Sequence, residues 1–348
     1  MKTVSRVVSA AVMLVVTALI CALAKNLPVF FFSYWEPASQ QVLGILNQAF
    51  GWVPFPVWEA LAALLIVWIV ASLLHAIFKL RLLRWLSGAL WGASLAVLLF
   101  VLLWGVGHFA PEKTSRIVTA GKPSLTQLHD AALWYGERAS AAADKVAREN
   151  GAMRAPDFDT LSAEANTAFA ALSQTYGLPA ADVTIKPLFG GELFSYLGLT
   201  GLFAPYTAEP TVNPDTYTPS LPYTACHELA HRLGAYAEQD ANFLAYLACV
   251  QSQNDAVRYS GDYSAFLYCY NALFDLSQTD ALSVWDTLGE NLKHDLLHAT
   301  EHYAAYEGAV KNAAQDVNDL YLKAFEESGI DSYDQVAEAL VAWQIANR

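Results

Sequence analysis

At 348 residues, 55% hydrophobic and with a net charge of −13, the chain holds enough apolar material for a sizeable core and is not of the disordered class. The negative balance argues against nucleic acid as a partner, because a polyanion would meet net repulsion. Four cysteines, none closely spaced, exclude the disulfide framework of small secreted domains.

Three apolar runs come first: Val7 to Ala24 (VVSAAVMLVVTALICALA), Val57 to Phe78 and Trp85 to Gly107. Each is near or above the ~18–20 residues that an α-helix needs to cross a ~30 Å hydrocarbon core. They predict three transmembrane helices in contact with the lipid bilayer. The first could also be a signal peptide, since Lys2 and Arg6 precede it and Ala22-Leu23-Ala24 has a small-x-small pattern. It is longer than the ~7–15 apolar residues of a signal peptide, which favours an uncleaved anchor. Cations resist translocation, so Lys2 and Arg6 and the turn with Lys79, Arg81 and Arg84 are expected in the cytoplasm. Residues 25–56 then form an outer loop, with Trp35, Trp52 and Trp58 at the interface, and everything after Gly107 lies outside. Beyond the membrane region, 14 Lys and Arg stand against 31 Asp and Glu, a balance of about −17 that fits a solvated external domain.

The expected boundaries are a transmembrane region over 1–107, a linker and helical segment over 108–158, and an external domain over 159–348. A helix is predicted from Ser124, as cap, to Asn150, and a second from Asp159 to Tyr176, closed by Gly177 and Pro179. Residues 180–222, rich in Gly, Pro, Thr and aromatics, predict short strands near Val183 to Leu188, Gly201 to Tyr206 and Glu209 to Asn213. Helices are expected over Pro222 to Leu233, Glu238 to about Gln253, Asp262 to Leu276, Ala281 to about Glu327 with a possible break, and Ser332 to Ala346.

Chemistry concentrates in TACHELAHRLGAYAEQDAN, residues 224–242. HELAH is an H-E-x-x-H motif with His227, Glu228 and His231. Helix positions four apart stack on one face, so both imidazoles can reach one Zn²⁺, while Glu228, ~100° round, can act as a base on water. The bare motif arises by chance in on the order of 1% of chains of this composition, so a third ligand is the next test. The metzincin continuation fails, because Ala237 stands where a third His is required. Glu238 is the first acid available; with Gly234 as a hinge, a second helix beginning near Ala237 brings it back to the turn carrying His231. Asp240, roughly 160° round from Glu238, is the weaker alternative. Cys226, beside His227, points ~100° away and reads as a buried thiol, like Cys249 and Cys269. His294, His298 and His302 form an i, i+4, i+8 stripe whose ends are ~12 Å apart, too far for one ion, and read as a solvated face.

CHELAHRLGAYAEQDANFLAYLAC, Gly201-Leu202-Phe203-x-Pro205-Tyr206, RYSG at Arg258 to Gly261 and SYDQVAEAL from Ser332 resemble a family of bacterial multi-pass membrane proteins catalogued as domain of unknown function 3810. The family brings no established activity. Glu238-x-x-Ala241-Asn242 is also similar to the ligand helix of compact gluzincin peptidases. That resemblance implies Glu238 as third zinc ligand and Asn242 behind it, orienting a ligand through a His ring or backbone group. It further implies an edge strand that pairs with substrate backbone, at Gly201 to Tyr206 (Gly201, Leu202, Phe203) or Glu209 to Asn213. The gap from His231 to Glu238 is shorter than in most gluzincins. An oxyanion donor is expected among Tyr206, Arg258, Tyr259 and Tyr263.

The expected fold is therefore a mainly α membrane protein: three N-terminal transmembrane helices, then an α+β, mostly helical, gluzincin-like domain with a small three-stranded sheet. The expected function is zinc-dependent hydrolysis of a peptide or envelope protein outside a bacterial cytoplasmic membrane, with the N-terminus cytoplasmic. The alternative is a non-catalytic envelope interaction or sensor protein whose metal is structural or absent. A transporter is disfavoured by the scarcity of ionisable residues within the spans.

Overall fold

The computed structural model describes residues 2–149, 151–325 and 332–348. The chain is mostly helical, with three apolar N-terminal helices and two small sheets. It divides into two compact units, Met1–Pro111 with Ala204–Glu209, and Glu112–Phe203 with Pro210–Arg348.

The first unit contains α1 (Lys2–Asn26), α2 (Pro28–Phe50), α3 (Val57–Phe78) and α4 (Leu82–Leu103). Helices α1, α3 and α4 are long and apolar enough to cross a membrane. Their outward side chains, such as Ile66, Trp68 and Leu83, are large and apolar, which suits lipid and not water. Arg6 on α1 donates to the Arg84 carbonyl at 3.4 Å, and Trp91 on α4 donates to Ser9 at 3.2 Å, so the two N-termini lie together. A tight turn at 79–81 returns α3 to α4, where Trp85 donates to Ser72 at 2.9 Å.

Helix α2 occupies most of the stretch expected to be a loop. Glu36, Pro37, Gln40, Gln41 and Asn47 interrupt its apolar pattern and hide it from hydropathy. Pro28 supplies a pre-set first helical position. Trp35 and Ser39 donate to the carbonyls of Leu102 and Leu103 at 2.8 and 2.9 Å, satisfying acceptors that the end of α4 leaves open.

In the second unit, Ser124 and Gln127 form a capping box that starts α5 (Leu125–Ala143). The helix expected to run to Asn150 stops at Ala143, and Asn150 lies outside the described residues. A hairpin of β1 (Arg148–Glu149) and β2 (Ala152–Met153) follows. Asp157 caps α6 (Phe158–Tyr176), which ends at left-handed Gly177. Next come β3 (Lys186–Pro187), α7 (Gly191–Tyr196), β4 (Gly201–Ala204) and β5 (Glu209–Val212). Their sheet order is β3-β5-β4, with β3 parallel to β5.

Helices α8 (Leu221–Arg232), α9 (Glu238–Gln251), α10 (Asp255–Leu276), α11 (Gln278–Thr287), α12 (Glu290–Ala304), α13 (Ala309–Ala324) and α14 (Ser332–Asn347) complete the unit. The long helix expected from Ala281 is three helices, because Gly289 and Gly308 stand as caps ahead of α12 and α13; Glu327 lies outside the described residues. The core joins α5, α9 and α10 through Tyr135, Phe243, Tyr246 and Phe266. Each such ring contributes about 1.5–3 kcal/mol by burial.

Candidate metal centre

Helix α8 carries His227, Glu228 and His231 on its last two turns and ends in a Schellman turn. Gly234, at φ 89°, adopts the left-handed conformation that glycine reaches without a Cβ penalty. Its N–H donates to the His231 carbonyl at 2.9 Å, and the Ala235 N–H donates to the Ala230 carbonyl at 3.0 Å. The turn presents the Ala235 carbonyl to His231 Nδ1 at 2.6 Å. With Nδ1–H as donor, the lone pair of His231 is left on Nε2. Helix α9 then starts at Glu238, and Ala241 and Ala245, both fully buried, permit close packing on α8.

These elements bring His227, His231 and Glu238 together, with their ligand atoms all within 4.8 Å of one another. His227 Nε2 lies 3.4 Å from Glu238 Oε2, and His231 Nε2 lies 3.5 Å from Oε1. The imidazole rings are 4.5 Å apart and nearly perpendicular. Ligands bonded at ~2.0–2.1 Å in a tetrahedron sit roughly 3.3–3.5 Å from one another, so the two His–Glu separations fit zinc. The donor set of two imidazoles and a carboxylate fits it as well. His227 Nδ1 is buried with no hydrogen-bond partner among the described residues.

Electrostatics differentiate the two acids. Burial pushes Glu228 up to about 7, against a smaller opposing pull from His227 and His231. Burial would also raise Glu238, but His231 and His227 outweigh it and hold that carboxylate well below its usual range. For His231, burial acts downward and Glu238 overcomes it, placing the imidazole at about 9. Glu228 is thus an acid poised near neutrality beside a carboxylate that stays ionised.

Gly201, the first residue of β4, lies directly over Glu228. A Cβ there would stand 2.7 Å from Glu228 Cγ and 2.8 Å from Cδ, inside van der Waals contact. Strand β4 is an edge of its sheet, with Gly201 and Leu202 half-buried and Phe203 buried. Strand β5 is central, between β3 and β4, and offers no free backbone edge, which corrects the alternative at Glu209 to Asn213. The Glu209 carboxylate instead accepts the first N–H groups of α3, from Val57 and Trp58, both at 3.0 Å.

Asn242 is buried, and its side-chain oxygen and carbonyl accept from the Tyr223 hydroxyl at 3.1 and 2.9 Å. That tyrosine, not a histidine ring, is the partner of its side chain. Asp240 accepts from the backbone N–H groups of Lys113 and Thr114 at 2.7 and 2.8 Å, a structural duty that removes it from ligand candidacy. Three of the four oxyanion candidates are engaged elsewhere. Tyr206 donates to the Ala96 carbonyl at 2.8 Å, Arg258 pairs with Asp255, and Tyr259 donates to Asp295 at 2.5 Å. Tyr263 is buried beside Tyr259, and burial raises its hydroxyl. The Ala235 carbonyl and the Tyr223 hydroxyl escape sequence reasoning, the first because a backbone acceptor has no side-chain signature.

On α12 the histidines do something different. The rings of His294 and His298 lie 4.0 Å apart, tilted by 30°, and His302 Nε2 lies 2.7 Å from the Asp215 carbonyl among tyrosines. His298 keeps the expected solvated character, whereas His302 is half-buried. The four cysteines are free thiols, and Cys226 is buried in the core.

Fold and site together define a mostly helical protein with three membrane-length apolar helices and a His-His-Glu cluster on two adjoining helices. The chain belongs to the family described as Protein of unknown function (DUF3810), whose sequence profile matches residues 34–341. No curated protein and no solved structure matches it.

Proposed function

We propose that this protein is a membrane-anchored, zinc-dependent metallopeptidase that hydrolyses a peptide or envelope protein outside the bacterial cytoplasmic membrane. One observation carries the reading: the ligand atoms of His227, His231 and Glu238 lie within 4.8 Å of one another, with Glu228 on the same helix as the two histidines. His227, His231 and Glu238 would hold the ion. Zinc there supplies Lewis acidity, which polarises a carbonyl and acidifies water. Glu228 accepts a proton from the attacking water on a carboxylate oxygen and returns it to the leaving amine nitrogen. The edge of β4 offers backbone donors and acceptors to an extended peptide. The order of α6, the three strands, α8 and α9 also resembles the gluzincin core.

Arg6 and Arg84 meet at one end of the first unit, with Lys79 and Arg81 in the adjoining turn. Three crossings with that end in the cytoplasm and the second unit outside would accord with the positive-inside rule. A fourth crossing by α2 would put Lys79, Arg81 and Arg84 outside, against the rule. The second reading, a non-catalytic envelope interaction or sensor protein, draws on the fact that His–Glu separations of 3.4 and 3.5 Å also suit ion pairs. The test is cleavage of a broad peptide library by full-length protein in detergent. Cleavage that Glu228→Gln lowers by about 10³-fold with zinc retained supports the peptidase, whereas zinc-loaded protein inert towards the library favours the second reading.

A further inference from the structure

A cavity of about 290 Å³ opens one helical turn from the cluster. Thr224 in its wall lies three residues before His227 and so on the same face of α8, while Thr200 immediately precedes Gly201. The cavity therefore shares α8 with the ligands and the approach to β4 with the base. It lies just below the ~300–1,000 Å³ range of small-molecule clefts, which suits one large side chain better than a whole ligand. The rings of Tyr223, Tyr268 and Tyr303 and the side chain of Leu267 provide apolar surface, and the remaining lining is hydroxyl or amide. No Asp, Glu, Lys, Arg or His is among the described lining residues.

From this we infer that the cavity is a specificity pocket for one large uncharged side chain, aromatic above all, next to the peptide bond that is cleaved. The inference rests on the peptidase reading and names its substrate class. A charged side chain entering here would lose its hydration with no counter-charge to replace it. An aromatic ring would bury a large area against the tyrosines, of which Tyr223 and Tyr268 lie tilted by 51° with centroids 6.4 Å apart. The Tyr223 hydroxyl is occupied by Asn242, so its ring is held in place and asks nothing polar of an occupant.

Asn271, exposed at the rim, permits a test that leaves the buried wall intact. Full-length protein in detergent is incubated with a proteome-derived peptide library, and cleaved bonds are read by mass spectrometry. One position beside the cleaved bond is expected to favour Phe, Tyr, Trp and Leu over Asp, Glu, Lys and Arg by about tenfold, the scale of ~1.4 kcal/mol. Asn271→Lys, which places a cation at the rim, is expected to raise Asp and Glu at that same position severalfold. Cleavage with a flat profile, or a profile that Asn271→Lys leaves unmoved, overturns the pocket and spares the peptidase. Absence of any cleavage overturns the peptidase. The pocket is then judged by binding to the Glu228→Gln protein, where matched peptides carrying Phe or Asp at one position should differ about tenfold in affinity; equal affinity overturns it.

Discussion

Two helices of this protein carry histidines four residues apart, and among the described residues only one of them makes a ligand cluster. On α8, His227 and His231 meet Glu238 from α9, and the Ala235 carbonyl fixes the ring of His231. On α12, His294 and His298 lie against each other, no third ligand joins them among the described residues, and His302 is turned to the Asp215 carbonyl. Spacing along one helix is common to both. The difference lies in the hinge after α8, where left-handed Gly234 turns the chain so that the next helix begins with an acid facing the pair.

A substitution above Glu228 bears on the catalytic half of that contrast. Gly201→Ala is expected to lower peptide cleavage by about 10²-fold with zinc content unchanged, because the new methyl group displaces the carboxylate by a fraction of an ångström or more. Activity equal to wild type would detach Glu228 from the chemistry. Next in size is the division of labour between two acids on one helical turn. Asp240→Ala removes two charge-assisted hydrogen bonds and should destabilise the protein by about 2–4 kcal/mol while keeping zinc, read by thermal unfolding in detergent. Loss of zinc in that variant would reassign the third ligand.

The smallest effect is a proton count. In the metal-free protein, Glu238 holds His231 protonated at pH 7, with its imidazole raised to about 9. That pairing stabilises the fold fully below the unfolded value of about 6.5 and is lost as pH rises through about 9. Zinc binding at pH 7 must displace the proton, so calorimetry in buffers of different ionisation enthalpy should show about one proton released per zinc. No release would remove the His231–Glu238 pair from the account.

Much of this is legible in the sequence where the cause is local. Apolar run length marks the three membrane-length helices, Ser124 announces the start of α5, and Gly234 marks the end of α8. The placement of Glu238 at the first position of α9 follows from the hinge and the acid after it. What is not legible depends on distant contacts. Helix α2 is held by Trp35 and Ser39 on α4, across more than sixty residues of chain. The central position of β5 comes from pairing with β3, and the duty of Asp240 from Lys113 and Thr114. Three of the four oxyanion candidates, Tyr206, Arg258 and Tyr259, likewise find partners that no local pattern announces.

The most direct measurement is zinc per chain by mass spectrometry, on full-length protein purified in detergent without added metal. Wild type should carry about one zinc, His227→Ala and Glu238→Ala should each lose most of it, and His298→Ala should keep it. Zinc-free wild type, or zinc retained in both His227→Ala and Glu238→Ala, would contradict a metal centre on α8 and α9.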